Sequence, residues 1–339
     1  MPSNPFALRP DVRFPDRPAR RRLLALIAFG FGFGVRGALA AEPERPVRLI
    51  VPFPAGGAAD VMARGMAQRL GEALGTTVVV DNRGGAGGAT AAEAVARSAP
   101  DGRTLFFATM GTQAINPALY PNLRYDPVKD FAPISVTHLT PRVLVVGPQV
   151  AARNVAQLIA LARAKPDALT YGSAGSGSSS HLAGALFESM TGTRMLHVPY
   201  KGSAPLLTDL LAGRVDLAFD SYTVYAEHIK SGRVRALGVT STRRLAALPT
   251  VPTIAEAGVP GYEVSNWLGV LAPAGTPSDV LARLHAALGR AMATPALRAQ
   301  LTDLGIEPVF GPPEAFGALI RGEIPKWAAI VRSSGAKAD

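Results

Sequence analysis

Three glycine- or serine-rich stretches, each directly after an apolar run, hold the residues best suited to chemistry: residues 52–60 (PFPAGGAAD), 81–90 (DNRGGAGGAT) and 171–187 (YGSAGSGSSSHLAGALF). A strand that passes through a glycine turn into a helix gathers backbone N–H groups at the positive end of the helix dipole, which favours an anion. Gly56 and Gly57 precede one such helix, and Ser178, Ser179 or Ser180 can cap another. The question is which anion is meant, and whether it is transformed or only held.

Nucleotide chemistry does not fit the spacing. A P-loop needs a lysine after its glycines, and none follows here. The dinucleotide pattern G-x-G-x-x-G fails at Thr90 after Gly85 and Gly87, and again at Ser180 after Gly175 and Gly177. A nucleophile elbow needs glycines two residues either side of its serine, which Ser173, Ser176 and Ser178 all lack. His181 follows Ser178 closely, but a catalytic triad is a spatial relation that spacing does not establish. His138, His197, His228 and His285 form no H-E-x-x-H pair and read as surface or satisfied structural residues. With no cysteine in the chain, thiol catalysis, disulfides and cysteine-based metal sites are excluded. No metal and no cofactor is expected.

The elements that position these turns alternate. VRLIVPF is followed by a helix over about residues 58–74 with Met62, Met66, Leu70 and Leu74 in one stripe, then TTVVVDN, a helix in ATAAEAVARSA, and RTLFFAT. That order predicts a mainly parallel sheet covered by helices. The rhythm restarts after VLVVGP: Asn154 with Gln157 caps VAQLIALARA, and LTYGSAG, MLHVPY, VDLAFD and VRALGVTS read as further strands. Near the end, Thr276 is the expected N-cap and Pro277 the first residue of a helix striped by Leu281, Leu284, Leu288 and Met292. Two α/β units fit a pair of lobes around a cleft, with residues 41–145 and 265–339 forming lobe 1 and residues 146–264 forming lobe 2.

The first 40 residues differ from the rest. A basic start ending in Arg20, Arg21 and Arg22 leads into LLALIAFGFGFGV and then RGALA, with Ala38 and Ala40 at the small positions of an export cleavage site. The apolar run is short of the roughly 20 residues that span a bilayer, so it reads as a signal peptide cleaved near Ala40/Ala41. The paired arginines look like a twin-arginine signal, although RRRLLA matches its consensus only in part, and the general secretory route remains open. The signal holds seven arginines against two aspartates, half of the formal charge of +10, so the mature chain is only about +5. It contains no five-residue basic run and no interleaved aromatic and basic residues, which argues against nucleic acid as a partner. An exported, thiol-free protein with donor-rich turns and no catalytic constellation suits a receptor that holds an anionic solute.

The motifs PFPAGGAADVMAR, NRGGAGG followed by APDGRTLFFA, YGSAGSGSSSHLAGALF, HVPYKGSAPLLTDLLAGRVDLAFD, LPTVPTIAEAGVPGYEVSNWLGVLAPAGTP and EIPKWAAIV occur in this order over residues 46–335. In this the chain resembles the extracytoplasmic solute receptors of the tripartite tricarboxylate transporter family, the Bug-type receptors. It departs at Gly84, where relatives often carry proline, and at residues 89–91, where an Ile-Gly pair is common.

The resemblance implies a two-lobed type II periplasmic-binding-protein fold that closes on ligand like a hinge. It further implies a monomer in the periplasm that captures a small carboxylate (a di- or tricarboxylate, acidic amino acid or aromatic acid). Delivery is then to a membrane permease with one large and one small subunit. On that reading Phe53, Ala55, Gly56 and Gly57 supply one lobe's backbone donors, with Phe53 also an apolar wall. Ser173, Ala174, Gly175, Ser176 and Ser178 supply the other lobe's hydroxyls and N–H groups. Neutral donors hold a carboxylate without a desolvated cation.

Five further positions are candidates, three of them with two readings. Asp60 is either a first-turn cap worth about 0.5–2 kcal/mol, the preferred reading, or the acceptor for a ligand ammonium or hydroxyl. Thr109, ending LFFAT, is a hydroxyl donor from lobe 1. Tyr200 and Lys201 end a strand as cleft residues, or Lys201 is a solvated charge. Asp220 lines the cleft or caps the next helix. Two rival functions stay open: a sensor that presents its liganded form to a signalling partner, and a serine hydrolase using residues 173–180.

Overall fold

The computed structural model describes residues 45–337, so the expected signal peptide lies outside the described residues. β1 (Val47–Val51), α1 (Ala58–Leu74), β2 (Val78–Asn82), α2 (Ala89–Ala96) and β3 (Thr104–Thr109) form the first run. The three strands are parallel in the order β2-β1-β3, with Val47 opposite Val78 and Arg48 opposite Thr104. Successive residues of β1 and β3 are buried on opposite faces: Leu49, Val51, Leu105 and Phe107 pack into one core, while Ile50, Phe106 and Ala108 pack into another. Burial on both faces is why these strands read as continuous apolar runs rather than alternating ones. α1 buries Met62, Met66 and Leu70 and stops at Gly75, whose left-handed φ of 73° suits glycine.

A π-turn at Gly111–Ile115 and α3 (Asn116–Leu119) lead to β4 (Phe131–Val146), a strand of 16 residues. The second run is α4 (Val155–Ala164), β5 (Thr170–Ser173), α5 (Ser179–Thr191), β6 (Leu196–Pro199), α6 (Ser203–Leu211), β7 (Leu217–Ser221), α7 (Tyr222–Lys230) and β8 (Arg235–Val239). Asn154 caps α4 by accepting from Gln157 N at 2.8 Å. β9 (Ser265–Pro273), α8 (Ser278–Ala293), α9 (Pro295–Asp303), β10 (Glu307–Pro308) and α10 (Pro313–Ser334) complete the chain.

The sheet runs β2-β1-β3-β9-β4-β7-β5-β6 and is mixed rather than mainly parallel. Its two arms are parallel, but β9 is antiparallel to both β3 and β4, and β4 is antiparallel to β7 and β8. The alternation of strands and helices describes the arms correctly. It misses the two strands that cross between them, because β4 enters and β9 returns without a crossover helix. β4 changes partner midway: residues 131–141 pair with β9, and residues 142–146 pair with β7 and β8. The change falls at Pro141, which has no N–H to give a ladder.

α10 lies against these crossing strands. Gly269 of β9 admits the Phe316 ring so closely that a Cβ there would sit 2.4 Å from Phe316 Cζ, and Trp267 meets the same ring edge-on at 5.3 Å. Trp267 is thus a core residue of the crossing. At α8 the expected cap is corrected: Pro277 itself holds the N-cap position and Thr276 donates its hydroxyl to Pro273 O at 2.7 Å. Thr276 is tied to the turn behind it, so the helix begins one residue later.

Candidate ligand-binding site

β1 and β5 end in the two loops of interest, and each loop runs into a helix. In the first, Gly57 is the N-cap of α1 without a side-chain cap, and Gly56 takes a φ of 82°. Asp60, in the first turn and only 4% exposed, accepts from Gly56 N at 2.8 Å and from Arg64 Nε at 2.9 Å, both through Oδ2. Arg64 continues to Asn82 Oδ1 at 3.1 Å, and Asn82 Nδ2 donates to Phe53 O at 3.0 Å. The Arg64 hydrogen bond, followed by that from Gly56, holds the Asp60 carboxyl down at about 2.

This network decides which donors remain. Gly56 N–H is committed to Asp60 and Phe53 O to Asn82, whereas the N–H groups of Phe53, Ala55 and Gly57 meet no acceptor among the described residues. The Phe53 side chain is partly exposed and Ala55 is exposed. Asp60 Oδ1 is buried and has no partner among the described residues. The second glycine stretch supports this loop from behind: a Cβ at Gly88, where φ is 88°, would lie 2.8 Å from both Pro52 Cβ and Thr112 Cγ2. Gly88 thus allows a close approach of backbone, and its own N–H is spent on Gly85 O.

Thr109, at the end of β3, is buried and locked to the π-turn: Thr109 N donates to Thr112 Oγ1 at 3.1 Å, and Thr112 N to Thr109 Oγ1 at 3.2 Å. In the same turn the side chain of Gln113 is fully buried, with neither amide atom partnered among the described residues.

The serine turn is largely bonded to itself. Ser173 Oγ donates to Gly175 O at 3.0 Å, accepts from Gly175 N at 3.2 Å and lies 2.7 Å from His197 Nε2. Ala174 N donates to Ser180 Oγ and Gly177 N to His181 Nδ1. Ser178 is the N-cap of α5, accepting from His181 N, and donates its own hydroxyl to Gly175 O at 2.6 Å. What remains open among the described residues is Ser176, through its N–H and hydroxyl, and the first-turn N–H groups of Ser179 and Ser180. Gly177 brings the turn against α3, since a Cβ there would meet Leu119 Cδ1 at 2.8 Å.

The remaining expected residues fall nearby in different roles. Tyr200 N donates to Ser173 O, and its hydroxyl donates to Asp209 Oδ2 at 3.0 Å; burial, then Asp209, pushes the phenol up to about 12. Lys201 is exposed, with no ion pair among the described residues. Asp220 is buried and accepts from Ser221 N at 2.8 Å and from Arg142 Nη1 at 3.1 Å. Arg142 Nη2 also contacts Ser179 Oγ, so Asp220 and the serine turn belong to one connected group. No hydrogen bond joins that group to the loop of residues 53–60 among the described residues.

Two features escaped the sequence reading. His197 and His181 stack with ring centroids 3.7 Å apart and planes 2° from parallel, with Tyr171 5.0 Å from His197. Burial holds both imidazoles down at about 4, with His181 also lowering His197. Because Gly177 N donates to His181 Nδ1, the ring proton of His181 is on Nε2. Only the pairing of β5 with β6 sets Tyr171 opposite His197, 26 residues apart in the chain. The second feature is Arg142, a buried cation that burial pushes below its ordinary pKa and that was not among the expected site residues. Its neighbours in TPRVLVV mark a strand and give no hint of function.

The Ser173–His197 contact has the length of a nucleophile–base pair, but Ser173 is fully shielded from solvent. No carboxylate hydrogen-bonds His197 to orient it as a triad requires, among the described residues. Nor do the described residues include a group of three or more His, Asp or Glu that could hold a metal ion, or a helix long and apolar enough to cross a membrane.

Fold and site together define a two-lobed solute-binding receptor of the periplasmic type. The sequence pattern of the tripartite tricarboxylate transporter family receptor matches residues 62–336, and the chain belongs to that family. It is 38% identical over 320 residues to the protein BugT of Bordetella pertussis, covering 93% of this chain and 98% of BugT. Among solved structures, R. palustris Rpa4515 with adipate superposes with a TM-score of 0.75 at 40% identity, over 87% of this chain and 99% of that one. MatC from Rhodopseudomonas palustris with bound malate gives 0.71 at 34% identity, over 85% and 99%.

Proposed function

We propose that the protein captures a small carboxylate in the periplasm and delivers it to a tripartite transporter, without transforming it. The observation that carries this is the pair of helix starts after β1 and β5. Among the described residues each keeps N–H groups unpaired: Phe53, Ala55, Gly57 and the first turn of α1 on one, and Ser176, Ser179 and Ser180 on the other. A fixed set of spare donors, with no oriented base beside an accessible nucleophile among the described residues, is built to hold an anion. Adipate and malate in two similar receptors agree with that chemistry.

On this reading lobe 1 is residues 41–145 with 265–339 and lobe 2 is residues 146–264. The hinge lies in β4 and β9, where β4 exchanges partners beside Pro141. Export removes the signal near Ala40/Ala41, and the monomeric receptor docks on a permease of one large and one small subunit. The test is a thermal-shift panel of di-, hydroxy-, amino- and aromatic carboxylates with the exported protein, plus mass spectrometry of any solute that co-purifies. A matching carboxylate raises the melting temperature and is recovered intact; consumption of any of them overturns the receptor reading.

A further inference from the structure

Arg142 starts the half of β4 that pairs with β7, opposite Ser221, while Asp220 faces Val143. The ladder thus sets the two side chains one residue apart, and Arg142 Nη1 reaches Asp220 Oδ1 at 3.1 Å. Both are withdrawn from water: the Arg142 side chain is 13% exposed and that of Asp220 is 2% exposed. The bonding is lopsided. Asp220 Oδ1 accepts from both Arg142 and Ser221 N, whereas Oδ2, although buried, has no partner among the described residues. On the guanidinium, Nη1 holds Asp220 and Nη2 contacts Ser179 Oγ, but the buried Nε is likewise unpartnered.

A buried ion pair that served only the fold would satisfy these atoms, because leaving a charged group's hydrogen-bonding capacity unmet in the interior is costly. What is left over is specific: one cationic donor and one anionic acceptor on adjoining side chains. The donor is also beside the start of α5, since Nη2 of the same guanidinium touches Ser179, whose N–H and that of Ser180 meet no acceptor among the described residues. Nε and the positive end of α5 together favour a carboxylate oxygen. Asp220 Oδ2 repels a second anion and accepts from a hydroxyl or ammonium.

We propose that Arg142 and Asp220 form a ligand-reading pair for carboxylates that carry an adjacent hydroxyl or ammonium group. The carboxylate oxygen accepts from Arg142 Nε, and the hydroxyl or ammonium donates to Asp220 Oδ2. This rests on the receptor reading above and deepens it to a substrate class: hydroxy- and amino-substituted small carboxylates in preference to their unsubstituted counterparts. An unsubstituted acid leaves Asp220 Oδ2 unpaired, and its methylene faces a carboxylate.

Calorimetric titration of the exported protein with matched pairs tests this: succinate against malate, succinate against aspartate, and benzoate against 2-hydroxybenzoate. The substituted member of the pair that fits binds tighter by about tenfold or more, the usual worth of a hydrogen bond to a charged group. Asp220→Asn, checked for folding by circular dichroism, shrinks that preference while retaining the unsubstituted acid. Arg142→Gln weakens both members. The wild-type comparison needs no variant, so loss of folding in either mutant does not protect the proposal. Equal affinity within every pair, or a preference unchanged in Asp220→Asn, overturns the ligand-reading pair alone; both results mark the two side chains as a structural ion pair bridged by water. Failure of every acid to bind overturns the receptor reading as well.

Discussion

Replacing Asp60 by asparagine removes one charge from the first loop while keeping its shape. Asp60 ionises near 2 rather than at its ordinary 3.8 because it accepts from Arg64 and Gly56. A difference of that size is worth at most about 2.4 kcal/mol of folding stability at neutral pH. The Arg64 side chain is 54% exposed, so solvent screening reduces the expected loss to about 1–2 kcal/mol. For a chain of this length that is a fall in melting temperature of about 2–3 °C. The sign with pH follows from a folded pKa below the unfolded one. The contribution is complete above about pH 5 and is lost as pH falls towards about 2, so wild type and Asp60→Asn converge in acid. Urea or thermal denaturation of ligand-free protein at pH 7 and pH 3 measures both effects. An unchanged melting temperature at pH 7 combined with lost carboxylate binding refutes the reasoning. It would transfer the role of Asp60 to its unpartnered Oδ1 and to the ligand.

Ser173→Ala leaves His197 Nε2 and Gly175 N–H without their shared partner in a buried site. It should cost about 1–3 kcal/mol in urea denaturation and weaken ligand binding through the loosened turn. Gly269→Ala forces a methyl against Phe316 Cζ at 2.4 Å and Ser135 O at 2.7 Å, so overpacking should destabilise by about 1–3 kcal/mol; a neutral result would show that the crossing strands yield easily. His181 and His197 at about 4 and His138 at about 3 are held below their ordinary 6.5, so the unfolded chain binds protons first. Stability should therefore begin to fall as pH drops below about 6.5, and between about 6.5 and 5 the decline belongs to the histidines rather than to Asp60. His197→Gln should flatten part of that slope, read from urea midpoints across the range; an identical slope would remove His197 from the account.

Sequence alone determined the periodic features. Met62, Met66 and Leu70 define the buried stripe of α1, Asn154 and Gln157 mark the start of α4, and a serine among 178–180, which the structure resolves to Ser178, caps α5, because each depends on residues within one or two helical turns. The motif series was specific enough to reach the family from the sequence, which the match over residues 62–336 establishes independently. Tertiary structure decided what depends on partners far along the chain. The crossing of β4 and β9 made the sheet mixed, and it also carried Arg142 to Ser179 and Asp220, 37 and 78 residues away. The pairing of β5 with β6 stacked His197 on His181 and put it beside Ser173. Which donors stay free was decided in the same way. A list of glycines and serines counts every N–H as available, whereas Gly56, Ala174, Gly175 and Gly177 spend theirs on Asp60, Ser180, Ser173 and His181. A hydrogen-bond donor's availability is settled only once the folded chain has placed all of its competing acceptors.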